Sequence, residues 1–160
     1  MYDILSSEWT WLSGNTTANV NGVYGVQRNS SRSVYPGSRY DHQISFDASR
    51  NCLYVFGGWG YPQSGSTEGL FQSSPADTHL MVVIVVLNDL WRFNLSSSEW
   101  TWLSGSSVGG VLGRYGTQGV SSPTNYPGAR RDHTLVVDSS SNRLYLFGGH
   151  GRAQSTTGVS

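Results

Sequence analysis

Short apolar stretches alternate with polar turns along most of this 160-residue chain. Gln43–Asp47 (QISFD) and residues 52–56 (CLYVF) are separated by a four-residue polar turn, which predicts a β-hairpin. Nearly every residue of CLYVF is apolar, so we expect this strand to be covered on both faces. Residues 89–93 and 100–103 predict a second hairpin around another polar turn. The pattern therefore predicts an all-β protein with negligible helix.

The chain contains two copies of one unit, offset by 91 residues. When residues 2–69 are laid on residues 93–160 without a gap, 33 of the 68 pairs are identical. Three segments carry most of the identity: residues 8–14 return at 99–105, residues 35–42 at 126–133, and residues 53–58 at 144–149. A repeat of this kind predicts that both copies form the same local structure.

Three linked motifs recur in the two copies. A glycine pair follows an apolar strand, an aromatic residue precedes a tryptophan with six residues between them, and a Pro-x-x-Arg-x-x-His motif precedes the first hairpin. The motif residues are Gly57, Gly58, Gly148 and Gly149; Tyr2 with Trp9 and Phe93 with Trp100; and Pro36, Arg39 and His42 with Pro127, Arg130 and His133. Together they resemble the kelch repeat family.

The resemblance implies a kelch-type β-propeller built from four-stranded antiparallel blades. Residues 43–103 would form one whole blade, residues 2–14 the outer half of another, and residues 134–149 the inner half of a third. The chain thus holds about two blades' worth of strands, whereas propellers close with about four to eight blades. We therefore expect a partial propeller that is completed by the remaining blades of a longer parent chain or by self-association, because open sheet edges invite pairing.

Two features depart from the family pattern. Kelch units are usually about 50 residues long, but here the offset is 91 because of a connection of about 28 residues, at 15–42 and 106–133, and a stretch at 71–86 without a repeat partner. That stretch is either a genuine extra strand or intronic sequence carried into the gene model. Its apolar run at residues 80–87 is shorter than the roughly 20 residues that a membrane helix needs.

Charge and cysteine content narrow the possible functions. Ten arginines balance ten carboxylates, and the chain has no lysine. This balance gives no electrostatic signature of nucleic-acid or membrane binding. Cys52 is the only cysteine, so neither an intrachain disulfide nor a cysteine metal cluster is expected. The sequence predicts no cofactor.

Polar residues of the repeated motifs have both structural and chemical interpretations. The Asp-His pairs at His42 and His133 suggest a metal or acid–base site, but recurrence in separate units favours packing. Arg39 and Arg130 are expected to hydrogen-bond nearby backbone carbonyls. Asp47 and Asp138 end strands at turns, where carboxylates commonly accept from backbone N–H groups, and a catalytic carboxylate pair is the alternative.

We therefore predict a non-catalytic binding module that presents loops to a protein or glycan partner. Candidate contacts are Trp59 and His150 after the glycine pairs, and Arg114 and Tyr115, with their counterparts Val23 and Tyr24, in the long connections.

Two alternatives remain open at this point. One is a piece of a copper oxidase related to galactose oxidase, whose radical site needs a Tyr–Cys crosslink. Cys52, however, lies in a predicted buried strand, and Arg143 replaces it in the second copy. The other alternative is a purely structural repeat segment.

Overall fold

The computed structural model describes residues 1–64 and 84–154, and this part of the chain is all-β without a helix. Accordingly, no helix in these two ranges could cross a membrane. The prediction of an all-β protein is confirmed. The strands are β1 (Tyr2–Asp3), β2 (Glu8–Trp9), β3 (Ser30–Ser31), β4 (Arg39–Tyr40), β5 (Gln43–Asp47), β6 (Cys52–Gly60), β7 (Val85–Asn94), β8 (Glu99–Ser104), β9 (Arg130–Arg131), β10 (Thr134–Asp138), β11 (Arg143–Phe147) and β12 (His150–Gly151).

The largest sheet has six antiparallel strands. Its order is β3-β8-β7-β6, and the far edge of β6 pairs first with β5 and then with β4. The predicted hairpin of β5 and β6 is present, with Gln43 opposite Phe56 and Asp47 opposite Cys52. The hairpin of β7 and β8 is also present. Strands β5 to β8 thus form an antiparallel meander in chain order.

Two strand boundaries differ from the sequence-based prediction. Strand β6 does not end at the glycine pair but continues to Gly60 through an irregularity between Phe56 and Gly58. Gly57 and Gly58 have φ angles of 58° and 94°, which a side chain would strain, so glycine lets the ladder continue past the bulge. Strand β7 begins at Val85, so the end of the predicted 71–86 insertion belongs to a strand, while residues 71–83 lie outside the described residues.

Strand β6 is covered on both faces, as its continuous apolar sequence predicts. On one face, Val55 packs with Tyr24, Val34 and Trp91, and Trp100 and Trp102 lie against this cluster. On the other face, Cys52, Tyr54 and Phe56 pack with Leu135 of the second copy. The long connection between β2 and β4 supplies the cover on the first face, and the next unit supplies it on the second.

The hairpin of β10 and β11 in the second copy is present and lies beside β5 of the first copy. The Val137 N–H donates to the Ser45 hydroxyl at 2.9 Å. The Ser139 hydroxyl donates to the Asp47 carboxylate at 2.8 Å. Strand β10 of one unit therefore lies against β5 of the unit before it.

The N-terminal hairpin of β1 and β2 forms a separate two-stranded sheet. The indole N–H of Trp100 donates to the hydroxyl of Ser13 at 2.9 Å and ties the segment after this hairpin to the large sheet. An open apolar groove of about 680 Å³ lies between them. Its lining includes Trp9, Trp11, Ile44, Leu53 and Phe93.

The two copies share unusual backbone conformations. Asp41 and Asp132 have φ angles of 54° and 56°, and Asn51 and Asn142 have φ angles of 48° and 56°. Asn and Asp adopt this left-handed conformation more readily than other residues with a side chain. The repeated sequence therefore produces the same turns in both copies.

Candidate binding surface

A buried ion pair links the first copy, residues 2–69, to strand β7. Arg39 donates through both terminal nitrogens to the two carboxylate oxygens of Asp89, each at 2.8 Å. Asp89 also accepts from the Tyr24 hydroxyl and the Trp91 indole N–H, both at 2.7 Å. The Arg39 and Asp89 side chains are only 4% and 0% exposed. The Asp89 carboxylate thus joins three side chains, of which Tyr24 and Arg39 lie far from it in the sequence.

The charges of this pair support each other. Burial alone would raise the pKa of Asp89, but the charge of Arg39 and the hydrogen bonds from Arg39, Trp91 and Tyr24 together lower that pKa. Burial would likewise lower the pKa of Arg39, and the Asp89 carboxylate raises it instead. Burial, followed by the negative charge of Asp89, raises the pKa of Tyr24, so this hydroxyl remains a donor. These shifts keep Asp89 and Arg39 charged and the Tyr24 hydroxyl neutral, so the network has a structural role.

The predicted hydrogen bonds from the motif arginines to backbone carbonyls are present in both copies. Arg39 donates to the carbonyls of Gly37 and Gly57 at 3.1 and 3.0 Å. Arg130 donates to those of Gly128 and Gly148 at 3.2 and 2.8 Å. These bonds hold each arginine side chain between the glycine two residues before it and the glycine pair.

The structure separates Tyr24 from Tyr115, although they are equivalent in sequence. Tyr24 is 1% exposed, so the prediction that it contributes to a binding loop is wrong; it is a core residue. Tyr115 is 47% exposed and accepts a hydrogen bond from Arg130 at 2.8 Å. Asp89 explains the difference, and sequence reasoning missed its role because its counterpart at the 91-residue offset falls beyond residue 160.

Trp59, which directly follows Gly57 and Gly58, lies in a group of stacked side chains. Its ring lies 6.2 Å from that of Tyr40 at an interplanar angle of 9°, and the Arg131 guanidinium carbon is 4.8 Å from its centre. Arg131 also contacts the carboxylates of Asp41 and Asp132, at 3.3 and 3.1 Å. Tyr40 is half exposed. The group combines flat aromatic surface with a held positive charge.

His150 joins this group through the backbone. It is the strand partner of Arg131, just as Trp59 is the strand partner of Tyr40 in the first copy. We call Tyr40, Trp59, Arg131 and His150 the aromatic–arginine surface. The structure therefore brings two of the predicted contacts, Trp59 and His150, to one place. Arg114 forms an isolated antiparallel β-bridge with Tyr126. It lines a separate cavity together with Tyr115, away from the aromatic–arginine surface.

The motif histidines are packed rather than grouped with other ligands. His133 is buried and lies edge-on to Phe56, with ring centres 5.3 Å apart. Burial, followed by the Arg130 charge, lowers the pKa of His133 to about 4. Burial, followed by the Arg39 charge, also lowers the pKa of His42. In ranges 1–64 and 84–154, no three His, Cys, Asp or Glu side chains are placed to hold a metal ion.

Asp47 and Asp138 each accept hydrogen bonds within their own turns. Asp47 accepts from the backbone N–H of Ser49 at 3.0 Å, and Asp138 accepts from that of Ser140 at 3.0 Å. The pKa of both carboxyls is lowered, and hydrogen bonds from serine side chains are the largest cause. These contacts are those expected of turn carboxylates.

Cys52 lies in the core between the two copies. It is 1% exposed and shares one face of β6 with Tyr54, which is also buried. Burial, followed by the neighbouring Cys52, raises the pKa of Tyr54. Both side chains are packed against the second copy, away from the aromatic–arginine surface.

Comparison with known proteins gives limited similarity. No family model matches the chain. A region of 112 residues, 70% of the chain, is 24% identical to Mei4-dependent protein 6 of Schizosaccharomyces pombe. The matched region is 10% of that protein, so the chain spans a small part of its relative's length.

Proposed function

We propose that this chain is a segment of a kelch-type β-propeller and acts as a non-catalytic binding module. Its partner is a protein that docks on the aromatic–arginine surface. The observation that carries the proposal is the parallel stack of Tyr40 and Trp59 with Arg131 above the Trp59 ring.

The arrangement of units supports the propeller. The meander of β5 to β8 has the strand order of a blade. The next unit places β10 against β5, so the first strands of successive units are neighbours. A side chain at Gly57 would come within 2.5 Å of the Arg130 carbonyl of the following unit. Glycine at this position permits the close approach that units around a common axis require.

The composition of the surface supports a protein partner. Trp, Tyr and Arg are the residues most enriched among those that dominate binding energy at protein interfaces. Arg131 is held by two carboxylates and by the Trp59 ring, so little side-chain freedom remains to be lost on binding.

A glycan is the second candidate for the same surface. The flat face of an aromatic ring suits the C–H face of a sugar, and the flanking carboxylates of Asp41 and Asp132 can accept from sugar hydroxyls. The two partner classes differ in what they need from Arg131, because its charge matters most for a protein partner with carboxylates.

The test compares Trp59→Ala and Arg131→Gln with Trp9→Ala, a variant of an exposed tryptophan in β2. Each protein is cross-linked in an extract of its source cells, partners are quantified by mass spectrometry, and each is applied to a glycan array. We expect one protein partner that is retained by wild type and Trp9→Ala and lost from the other two. Sugar binding that needs Trp59 but not Arg131 would favour the glycan. A partner set unchanged by both variants, or none, would contradict the proposal and favour a structural segment.

Metal analysis separates the proposal from the copper-oxidase alternative. The purified chain is incubated with Cu²⁺, dialysed and analysed for copper and for a Cys52–tyrosine crosslink by intact mass. We expect no stoichiometric copper, and we expect the intact mass to show no loss of the hydrogens that a crosslink would remove. Copper at one equivalent with a modified Cys52 would overturn the non-catalytic assignment.

A further inference from the structure

A cleft of about 490 Å³ is lined by residues of both long connections. Gln27 belongs to the first connection, and Asn125 and Tyr126 belong to the second. Asn88 of β7 and Trp102 of β8 also line it. We call this space the connection cleft. Its volume lies in the range of pockets that hold small organic ligands, roughly 300–1,000 Å³.

The second connection is fixed at both of its ends by Asn88, a residue that is only 2% exposed. The side-chain amide of Asn88 donates to the carbonyl of Pro127 at 3.2 Å, and its side-chain oxygen accepts from the N–H of Ser106 at 3.1 Å. Asn88 thus holds the start and the end of this connection against strand β7.

The first connection is fixed to strand β8. The Arg28 N–H donates to the Trp102 carbonyl at 2.7 Å, directly after Gln27. Strand β3 of the same connection pairs with β8 at residues 100 and 101. Both connections are therefore held by hydrogen bonds to the large sheet, so little ordering remains to be paid for when a ligand binds between them.

The lining of the connection cleft is polar but neutral, since its described residues include no charged side chain. The carboxamide of Gln27 offers a donor and an acceptor. The Asn125 amide nitrogen donates to the Val120 carbonyl at 3.2 Å, which leaves its side-chain oxygen as an acceptor. Trp102 and Tyr126 add aromatic surface. A charged ligand would lose hydration here without gaining a counter-charge, so the lining favours a neutral ligand with both hydroxyl groups and an apolar face.

The pairing of β8 bears on the choice between a saccharide and a peptide. An extended peptide commonly binds by adding a strand to a free sheet edge. At the cleft, the edge of β8 is already occupied by Ser30 and Ser31 of β3. Recognition is therefore left to side chains and rings, which suits a saccharide.

An equivalent cleft in the first copy differs in charge. Trp11, Ser13, Gly14 and Tyr35 line a space of about 520 Å³. Their counterparts at the 91-residue offset, Trp102, Ser104, Gly105 and Tyr126, all line the connection cleft. Arg32 lines the first space, whereas its counterpart Pro123 lines the second. The repeat thus produces the same frame twice, and the connection cleft is the one that lacks the arginine.

We propose that the connection cleft binds a neutral saccharide. The sugar ring packs against Trp102 and Tyr126, and its hydroxyl groups bond to the side chains of Gln27 and Asn125. The cleft shares no residue with the aromatic–arginine surface. The proposal is therefore independent of whether a protein docks on that surface.

The experiment titrates the ¹⁵N-labelled 160-residue chain with cellobiose, lactose and N,N′-diacetylchitobiose and follows the indole N–H resonances of its six tryptophans by NMR. The Trp102 resonance is assigned with Trp102→Phe and the Trp59 resonance with Trp59→Ala. We expect at least one sugar to shift the Trp102 resonance saturably and to leave that of Trp59 in place. Chitobiose without its acetyl groups carries charged amines, so we expect it to bind about tenfold or more weakly than the acetylated form.

Two variants test the named contacts. Gln27→Ala changes an exposed side chain and is expected to weaken binding about threefold to tenfold, because one hydrogen bond is lost. Tyr126→Ala should weaken it by a similar factor through the loss of ring contact. Trp11→Ala, at an exposed tryptophan of the first-copy cleft, is the matched control and should leave the affinity unchanged.

Three outcomes overturn the proposal. One is the absence of any saturable shift with the three neutral disaccharides in a chain whose resonances are dispersed as in a folded sheet. Another is equal affinity for chitobiose and its acetylated form, which would contradict selection for a neutral ligand. The third is binding that Gln27→Ala leaves intact while Trp11→Ala weakens it or the Trp59 resonance shifts, which would place the sugar elsewhere. Because these readouts involve neither the cell extract nor Arg131→Gln, they leave the test of the protein partner unaffected.

Discussion

The two copies place the same side chains in opposite environments. Phe56 is 5% exposed and its equivalent Phe147 is 82% exposed. Tyr54 and Tyr145 are 8% and 53% exposed. The local turns and the arginine contacts to carbonyls are nevertheless alike in both. The comparison teaches that the repeated motif specifies local conformation, whereas burial depends on which strand arrives next.

Strand β7 is the element that makes the difference. It pairs with β6 of the first copy and contributes Asp89 to the ion pair and Trp91 to the core. The second copy keeps the surrounding frame but, in the described ranges, receives no such strand. Substitutions at equivalent positions of the two copies therefore measure how much strand β7 contributes to the free energy of unfolding.

Replacing the buried phenylalanine should have the largest effect. Phe56→Ala is expected to lower the free energy of unfolding by about 3–5 kcal/mol, because it opens a cavity between the copies. Phe147→Ala should change it by no more than about 0.5 kcal/mol, since that ring is mostly in solvent. Urea unfolding followed by tryptophan fluorescence gives both values. Equal losses would show that the second copy is buried in solution.

The second-largest difference is expected between substitutions of Arg39 and of Arg130. Arg39→Gln leaves Asp89 buried without its counter-charge and should cost about 3–5 kcal/mol. Arg130→Gln removes no carboxylate contact within the described residues and should cost less than about 1 kcal/mol. Guanidinium chloride is unsuitable for this pair because it is itself a salt, so urea is used. A large loss for Arg130→Gln would mean that a carboxylate is already bound to it.

The tyrosines should give a smaller contrast of the same sign. Tyr24→Phe removes one donor from the buried Asp89 carboxylate and should cost about 1–3 kcal/mol. Tyr115→Phe should cost less than about 0.5 kcal/mol, as its hydroxyl is partly in solvent. Thermal melting of the two variants beside wild type is a sufficient measurement. Indistinguishable melting temperatures would contradict the network as the source of the difference.

For the motif histidines the difference in burial is reversed, because His133 of the second copy is more buried than His42 of the first. The pKa of His133 is lowered to about 4, mainly by burial. A histidine whose folded pKa is depressed stabilises the fold above its unfolded pKa of about 6.5, and this contribution is lost as pH falls toward the folded value. We expect a loss of about 1–2 kcal/mol between pH 6.5 and 4.

The variant His133→Gln tests the source of this loss. It should flatten the pH dependence more than His42→Gln does, although both histidines occupy the same motif. Unfolding curves at half-unit pH steps supply the comparison. Carboxylates with lowered pKa, such as Asp89, lose their contribution only below this window. An unchanged slope in His133→Gln would assign the acid sensitivity to other groups.

The sequence alone determined the repeat, the all-β class, the hairpins and the turn positions. These follow from local rules: apolar runs of strand length, polar turns, and Asn or Asp where the backbone takes a left-handed conformation. The sequence also predicted that β6 is covered on both faces, because a continuously apolar strand has no polar face to expose to solvent. The sequence singled out Trp59 and His150 by their common position after the glycine pairs, whereas the structure brings them together through Arg131.

Only the tertiary structure decided the roles of Tyr24, Asp89 and Tyr115. Tyr24 and Tyr115 occupy equivalent positions of the two long connections, so no local rule separates a core tyrosine from an exposed one. Asp89 lies 50 residues from Arg39, and their bond forms because β7 pairs with β6 across that distance. Local sequence fixes φ and ψ preferences through short-range sterics, but burial and charge pairing depend on residues brought together by the fold. That is why one motif gives a core in the first copy and an exposed edge in the second.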